Sequence, residues 1–231
     1  MFVDYKNLIS IIGMTILFSN LALAYDLKEY YPLGQGNSWT YSAIDITEVS
    51  EETVRIEGKE LIDGLETVRM QYVDDGYSCI AYDHEGIKEY KDFEENYSEF
   101  FNPPLIVFPN IEIGESKSYL VDSIIYDIDS EKIAESTSTI QISLESVEDV
   151  KVPANIFTDC LRFSKISEWR KSDGSFGTDK CVIWLARGVG RIKEFCIYRY
   201  RMPGSETTEI STSSVIYKLI SAVVDGKKIG D

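Results

Sequence analysis

Residues 138–147 of the chain read Ser-Thr-Ile-Gln-Ile-Ser-Leu-Glu-Ser-Val. Apolar side chains occupy every second position at Ile140, Ile142 and Leu144, and polar side chains occupy the positions between them. Successive side chains of a β-strand point to opposite faces of a sheet, so this alternation predicts a strand with one buried face.

The same period of two recurs along the chain. It places Leu161, Phe163 and Trp169 on one face of the segment 158–170. The segment 88–101 is the exception, because its acidic and aromatic content favours a short helix or an irregular loop. We therefore predict an all-β, mainly antiparallel fold. Its tight turns are predicted at pairs that supply the required backbone angles, namely Asp63-Gly64, Asp75-Gly76, Glu85-Gly86, Asp173-Gly174, Pro203-Gly204 and Asp225-Gly226.

Two pairs of similar segments indicate an internal repeat. Gly36-Asn-Ser-Trp-Thr-Tyr41 is similar to Gly114-Glu-Ser-Lys-Ser-Tyr119, and Gly86-Ile-Lys-Glu-Tyr90 is similar to Gly190-Arg-Ile-Lys-Glu-Phe195. The order is the same in both halves, which predicts a duplicated β-meander. Chance similarity between strand ends is the alternative.

The repeat sets the expected domain organisation. Halves of about residues 30–101 and 105–224 meet at Asn102-Pro103-Pro104. One copy of about 70 residues has a thin core. We therefore expect a single β domain over residues 25–231, folded as one curved sheet or half-open barrel, because curling a sheet removes its exposed edges.

The first 24 residues resemble a secretory signal peptide. Lys6 precedes an apolar run from Leu8 to Phe18, and Ala22-Leu23-Ala24 has the small-x-small pattern of a cleavage site. The run is shorter than the ~20 residues that span a bilayer, although retention as an anchor is the competing interpretation. We expect an exported protein, periplasmic or extracellular, without a transmembrane segment after cleavage.

The four cysteines, Cys79, Cys160, Cys181 and Cys196, follow the predicted cleavage site, so disulfides can persist. Gly188 and Gly190 mark a hairpin turn that places Cys181 opposite Cys196, which is compatible with a disulfide. A free, buried pair is the alternative. No Cys-x-x-Cys motif or Cys/His cluster is present in the sequence, so no metal site is predicted.

The formal charge of −16 argues against nucleic acid as a partner. The charge is uneven, because residues 151–201 hold 11 Lys and Arg against five Asp and Glu. By parity, Arg191, Lys193, Arg199 and Arg201 are expected on one face of a strand, where they could bind an anionic group. The alternative is that acidic residues on neighbouring strands neutralise them.

Three tryptophans, Trp39, Trp169 and Trp184, lie on predicted strands. They either pack in the core or line an apolar pocket. For catalysis the sequence offers little, since His84 is the single histidine and no nucleophile motif accompanies it. We predict no enzyme activity, no catalytic residues and no cofactor.

Three segments resemble a family of uncharacterised secreted bacterial β-proteins. Tyr31–Tyr41 resembles its G-N-x-W-x-Y segment, Val152–Leu161 its V-P-A-G-x-F-x-x-C-L segment, and Trp184–Lys193 its W-x-A-x-G-V-G-x-[IV]-K turn. Asn155 stands where glycine is usual, and Arg187 where proline is frequent. The resemblance implies an antiparallel β fold, a half-barrel like that of lipoprotein carriers, and it implies no activity.

These observations favour an exported, non-enzymatic binding protein that holds a hydrophobic or amphipathic ligand on the concave face of its sheet. Its partner would be a lipid-like or anionic small ligand. The alternative is a structural or protein-interaction component of the cell envelope that has no ligand cavity and binds an envelope protein.

Overall fold

The computed structural model of the protein describes residues 25–72, 76–201 and 210–230. The predicted signal peptide, residues 1–24, lies outside the described residues, as do Asp75 of one predicted turn and the Pro203-Gly204 turn. Within the described ranges no helix has the length and apolar content of a membrane span. The elements are α1 (Leu27–Tyr30), β1 (Ser38–Ile44), β2 (Val49–Ile62), β3 (Leu65–Gln71), β4 (Tyr77–Tyr82), β5 (Gly86–Glu94), β6 (Tyr97–Pro109), β7 (Ser116–Asp127), β8 (Lys132–Val152), β9 (Asn155–Lys171), β10 (Phe176–Ala186), β11 (Gly190–Arg201), β12 (Ser211–Val224) and β13 (Lys227–Gly230).

The strands form one antiparallel sheet in which each strand pairs with the next along the chain. The first strand also pairs with β12, in a register that sets Ser38 opposite Val223 and Ile44 opposite Ile216. This pairing closes twelve strands into a barrel, and the extra strand β13 pairs with the end of β12, beyond the stretch of β12 that pairs with β11. The all-β, antiparallel prediction is confirmed. The barrel is closed, which is more specific than the expected curved sheet or half-open barrel.

The segment 88–101 is not a helix or a loop, because it belongs to β5 and β6. Glu89 and Asp92 interrupt the alternation of apolar and polar residues in β5, so the sequence pattern did not predict a strand there. The predicted junction Asn102-Pro103-Pro104 likewise lies inside β6. Pairing of β6 with β7 ends at Asn102, where the two prolines, which have no N–H group, begin.

The turns that precede β1 and β7 are built alike. Gly36 and Gly114 both have φ of +86°, a conformation that favours glycine. The amide of Gly36 donates to the carbonyl of Ile56 at 3.0 Å, and the amide of Gly114 donates to the carbonyl of Leu144 at 2.7 Å. The division of the chain into two related halves stays a prediction, and these matched bonds are what a repeat would produce.

Apolar side chains fill the barrel at the end where α1 lies. Tyr30 is 1% exposed, and the amide of Gly188 donates to the carbonyl of Glu29, which fastens α1 to the turn between β10 and β11. Beside it, Nε1 of Trp39 donates to the carbonyl of Val189 at 2.5 Å. This end is therefore closed by packing and hydrogen bonds. The buried cluster around α1 contains Leu27, Tyr30, Ile87, Ile106, Phe108, Ile111, Val121, Ile140, Ile142, Leu144, Leu161, Phe163, Ile183 and Leu185.

The cysteines on β10 and β11 are opposite each other, as the turn position predicts, and their sulfurs are bonded. Cys79 and Cys160 are buried and free. Burial raises the pKa of the Cys79 thiol to about 12 and that of the Cys160 thiol to about 11. Both thiols therefore stay protonated and poorly nucleophilic near neutral pH.

Thiol titration of the unfolded protein without reductant tests the pairing. We expect two reactive thiols, from Cys79 and Cys160, and four would contradict the disulfide. The double variant Cys181→Ala plus Cys196→Ala should lose about 3 kcal/mol of unfolding free energy in urea, because the bond closes a 15-residue loop. Under reductant the wild type and the variant should converge.

Candidate functional site

A cavity of about 440 Å³ occupies the interior of the barrel beyond the apolar core. Twelve-stranded barrels are wide enough to leave such space, whereas smaller ones fill with side chains. Its residues come mainly from β6 to β11, and Trp169 and Lys171, near the end of β9, are half-buried there. The lining differs between strands. We call Phe101, Leu105, Val107 and Val121 of β6 and β7 the apolar wall, although Glu99 and Ser123 of the same strands also line the cavity. The polar wall, from β9 to β11 and beside Cys181 and Ile183, is formed by Lys165, Ser167, Asp179, Arg191, Glu194 and Tyr198.

The apolar wall lies where β6 and β7 are no longer paired by backbone hydrogen bonds. Backbone pairing between β6 and β7 covers Tyr97–Asn102 with Asp122–Asp127. Beyond Asn102, Leu105 pairs only with β5, and the first residues of β7 pair only with β8, in the described part of the chain. The two strands therefore separate beside this wall.

The polar wall follows the inward parity of β9, β10 and β11. Lys165 lies opposite Cys181, and Asp179 lies opposite both Ser167 and Tyr198, so these side chains share the inner face. Lys165 sits between Phe163, which is buried in the core, and Ser167. The wall thus begins where the apolar core ends.

A β-bulge brings Arg191 into the cavity. Trp184 pairs with Lys193 and Leu185 pairs with Arg191, so Ile192 is an extra residue on β11. A bulge shifts the alternation by one position, and Arg191 faces inward with Leu185. There the guanidinium forms an ion pair with Glu194 and lies 4.7 Å from the ring of Tyr41. Burial alone would lower the pKa of Arg191, but the Glu194 carboxylate raises it.

The expectation that four cations share one face is therefore wrong. Arg191 faces the interior, whereas Lys193, Arg199 and Arg201 have the parity opposite to cavity-lining Tyr198 and lie on the outer face. In an unbroken strand, alternation would place all four cations on one face. The bulge at Ile192 moves Arg191 to the other face. The three outer cations and Arg191 do not form a common anion site.

The three tryptophans also divide between the interior of the barrel and its outer face. Trp169 lines the cavity, and Trp39 lines a much smaller neighbouring void beside Arg191. Trp184 lies outside, where its ring packs between Arg162 and Lys193, with cation-to-centroid distances of 5.8 and 4.4 Å. Its Nε1 donates to Glu148 at 2.6 Å. Trp184 is thus satisfied by surface partners, away from the cavity.

Glycine at position 177 makes room for the Trp169 ring. A Cβ atom at Gly177 would lie 2.5 Å from Cζ2 of Trp169, closer than real contacts allow. The indole therefore lies against the backbone of β10, and it donates a hydrogen bond to Asp179. Burial raises the pKa of the Asp179 carboxyl, and this bond opposes the rise.

A second group of acids lies on the inner face of β5. Ser78 donates to Glu89, and its hydroxyl is 3.0 Å from Asp92. Burial, with the neighbouring Asp92 charge, raises the pKa of Glu89 to about 7. Burial also raises the pKa of Asp92 to about 6. Near neutral pH this pair therefore retains part of its protons.

Within the described chain, one group of three residues of metal-ligating types comes together. Its members are Cys181, Glu194 and Cys196. The two sulfurs are bonded to each other, so neither is the thiolate that binds a metal. The described residues of this site include no activated nucleophile. The absence of enzyme activity and of cofactors stays a prediction.

No protein-family model matches the chain, and no curated protein matches it. Two solved structures are similar to it. A lipoprotein candidate from Parabacteroides distasonis is 12% identical over 84% of this chain and 100% of that one, with a TM-score of 0.44. The hypothetical lipoprotein YmcC from Escherichia coli is 10% identical over 87% of this chain and 89% of that one, with a TM-score of 0.39. The motif resemblance to secreted β-proteins stays a prediction.

The raised pKa values of Glu89 and Asp92 predict how stability changes with pH. Between their ordinary and raised pKa values the native state binds more protons than the unfolded state, so the free energy of unfolding falls as pH rises from about 4 to about 7. Glu89→Gln keeps the contact with Ser78 and removes one titration. We expect this variant to be more stable than wild type by about 2 kcal/mol at pH 8 and equal to it near pH 4.

Urea unfolding at several pH values measures this difference. Glu168→Gln, which changes an exposed acid on β9, is the matched control and should keep the slope of the wild type. Parallel stability profiles for wild type and Glu89→Gln would show that Glu89 does not titrate as described.

Proposed function

We propose that the protein is an exported, non-enzymatic binding protein that holds one amphipathic small molecule inside its barrel. The observation that supports this most is the 440 Å³ cavity, whose lining includes both an apolar wall and a polar wall. Ligand pockets in proteins have this size and combine apolar lining with a few placed polar groups. Export rests on the signal-like residues 1–24 in the sequence.

The two walls favour an amphipathic ligand over a wholly hydrophobic one. The polar wall contains Lys165, Asp179, Arg191 and Glu194. Arg191 and Glu194 pair with each other, but an apolar molecule would bury Lys165 without giving its ammonium group a partner. Such burial is costly. A molecule with an apolar part against Leu105 and a polar part against β9 to β11 matches both walls. The volume corresponds to about 15 water-sized groups.

Native mass spectrometry of protein purified gently from its own envelope tests the proposal. Ser138 lines the cavity, and Ser138→Trp should fill it. Thr139→Trp is the matched control, because Thr139 is exposed on the opposite face of β8. We expect a retained small molecule on the wild type and on Thr139→Trp, and none on folded Ser138→Trp. Bare chains in all three samples would contradict the proposal.

One surface favours a second candidate, a protein-interaction component of the envelope. On the outer face of β5 to β7, Phe93, Phe100, Ile124, Tyr126 and Ile128 line an open groove of about 600 Å³. Exposed apolar patches of this kind mark interaction sites. If an envelope protein binds here, cross-linking in cells should capture it with wild type and lose it with Phe100→Ser plus Ile124→Ser. Equal cross-linking by both would remove this candidate.

A further inference from the structure

The carboxylates of the cavity already have donors from the protein. Glu194 accepts from Arg191, Glu99 accepts from Ser123, and Asp179 accepts from Trp169. Each donor lies on the same strand as its acceptor or on a neighbouring one, so the barrel supplies these bonds without a ligand. The three carboxylates therefore already have hydrogen-bond donors, and that of Glu194 also has a cationic partner.

The lysines of the cavity are not compensated in the same way. Lys165 and Lys171 both line it, and neither forms an ion pair or a hydrogen bond with another residue that the structure describes. Lys171 lies over the Trp169 ring at 5.6 Å. Lys165 is half-buried between Ile142 and Cys181 on the flanking strands. A half-buried ammonium loses part of its hydration, and no oxygen in the described part of the chain replaces that water by a direct contact with Lys165.

We propose that the polar part of the ligand is an anion, a carboxylate or a phosphate, that binds the ammonium group of Lys165. This inference rests on the proposed binding function and names the class of ligand. Lys171 lies six residues further along β9, about 20 Å away along an extended strand, so one small anion does not contact both. Lys171 contributes positive potential at the end of β9 and attracts the anion toward the cavity.

Several acids lie near this site, and they limit which anions bind. Glu89 and Asp179 both interact electrostatically with Lys165. A multiply charged anion would meet these carboxylates as well as the ammonium, so the arrangement favours a singly charged group. The apolar wall, with Phe101 and Leu105, receives the rest of the molecule. A medium-chain carboxylate has both properties and fits the volume.

Isothermal titration calorimetry with three ligands of one chain length tests the head group. The probes are decanoate, decan-1-ol and decyltrimethylammonium, added below their micellar concentrations to protein washed free of bound small molecules. We expect decanoate to bind at least about tenfold more tightly than the other two, the size of one charge-assisted contact. Inorganic phosphate is a fourth probe, which separates an anion site from an amphiphile site.

Two variants assign the contact to Lys165. Lys165→Met keeps the length and packing of the side chain, and should weaken decanoate binding about tenfold while leaving decan-1-ol unchanged. Lys180→Met is the matched control, because Lys180 is exposed on the outer face of β10, and it should bind decanoate like wild type.

The outcomes separate this inference from the function on which it rests. Equal affinity for the three ten-carbon probes, or full decanoate affinity in Lys165→Met, overturns the anion site and leaves an amphiphile-binding cavity. Inorganic phosphate binding as tightly as decanoate supports the anion site and overturns the amphipathic function. Binding of none of the four probes overturns both.

Discussion

The hydrogen bonds between β1 and β12 are the interaction on which the rest of the structure depends. They close the sheet, and a closed sheet gives every strand one inner and one outer face. Alternation then decides where each side chain lies. Closure also satisfies the edges that an open twelve-stranded sheet would present to other chains.

Once the faces are fixed, the interior is divided by chemistry. At the α1 end, large apolar residues such as Phe163 and Leu144 fill the space completely, each 1% exposed. Further along the same strands the inner positions become Lys165 and Ser138, and the space is no longer filled. Small and charged side chains leave a cavity because they do not pack against one another as apolar ones do. The barrel thus combines a stable core with a cavity in one continuous sheet.

Much of this arrangement was readable from the sequence. Alternation predicted the strands, and the Gly188–Gly190 turn placed Cys181 opposite Cys196. Lys165 also had a signal in the sequence, because it shares the parity of Phe163 and Trp169, although the densest run of cations lies on β11. Arg191 could not be placed, since a bulge of one residue leaves no mark in the period of two. The face on which Arg191 lies is fixed by how β11 pairs with its neighbouring strands, and sequence alternation alone does not give that pairing.

The disulfide and the separated strands lie beside the same cavity on different strands, and this has a mechanical consequence. Cys181 and Cys196 tie together β10 and β11, which carry Asp179, Arg191 and Glu194, so the polar wall is stiff. The apolar wall lies where β6 and β7 have ceased to pair, and it yields more easily. Under the proposed binding function, the apolar wall would adapt to the bulk of different ligands, while the contacts made by the polar wall stayed constant.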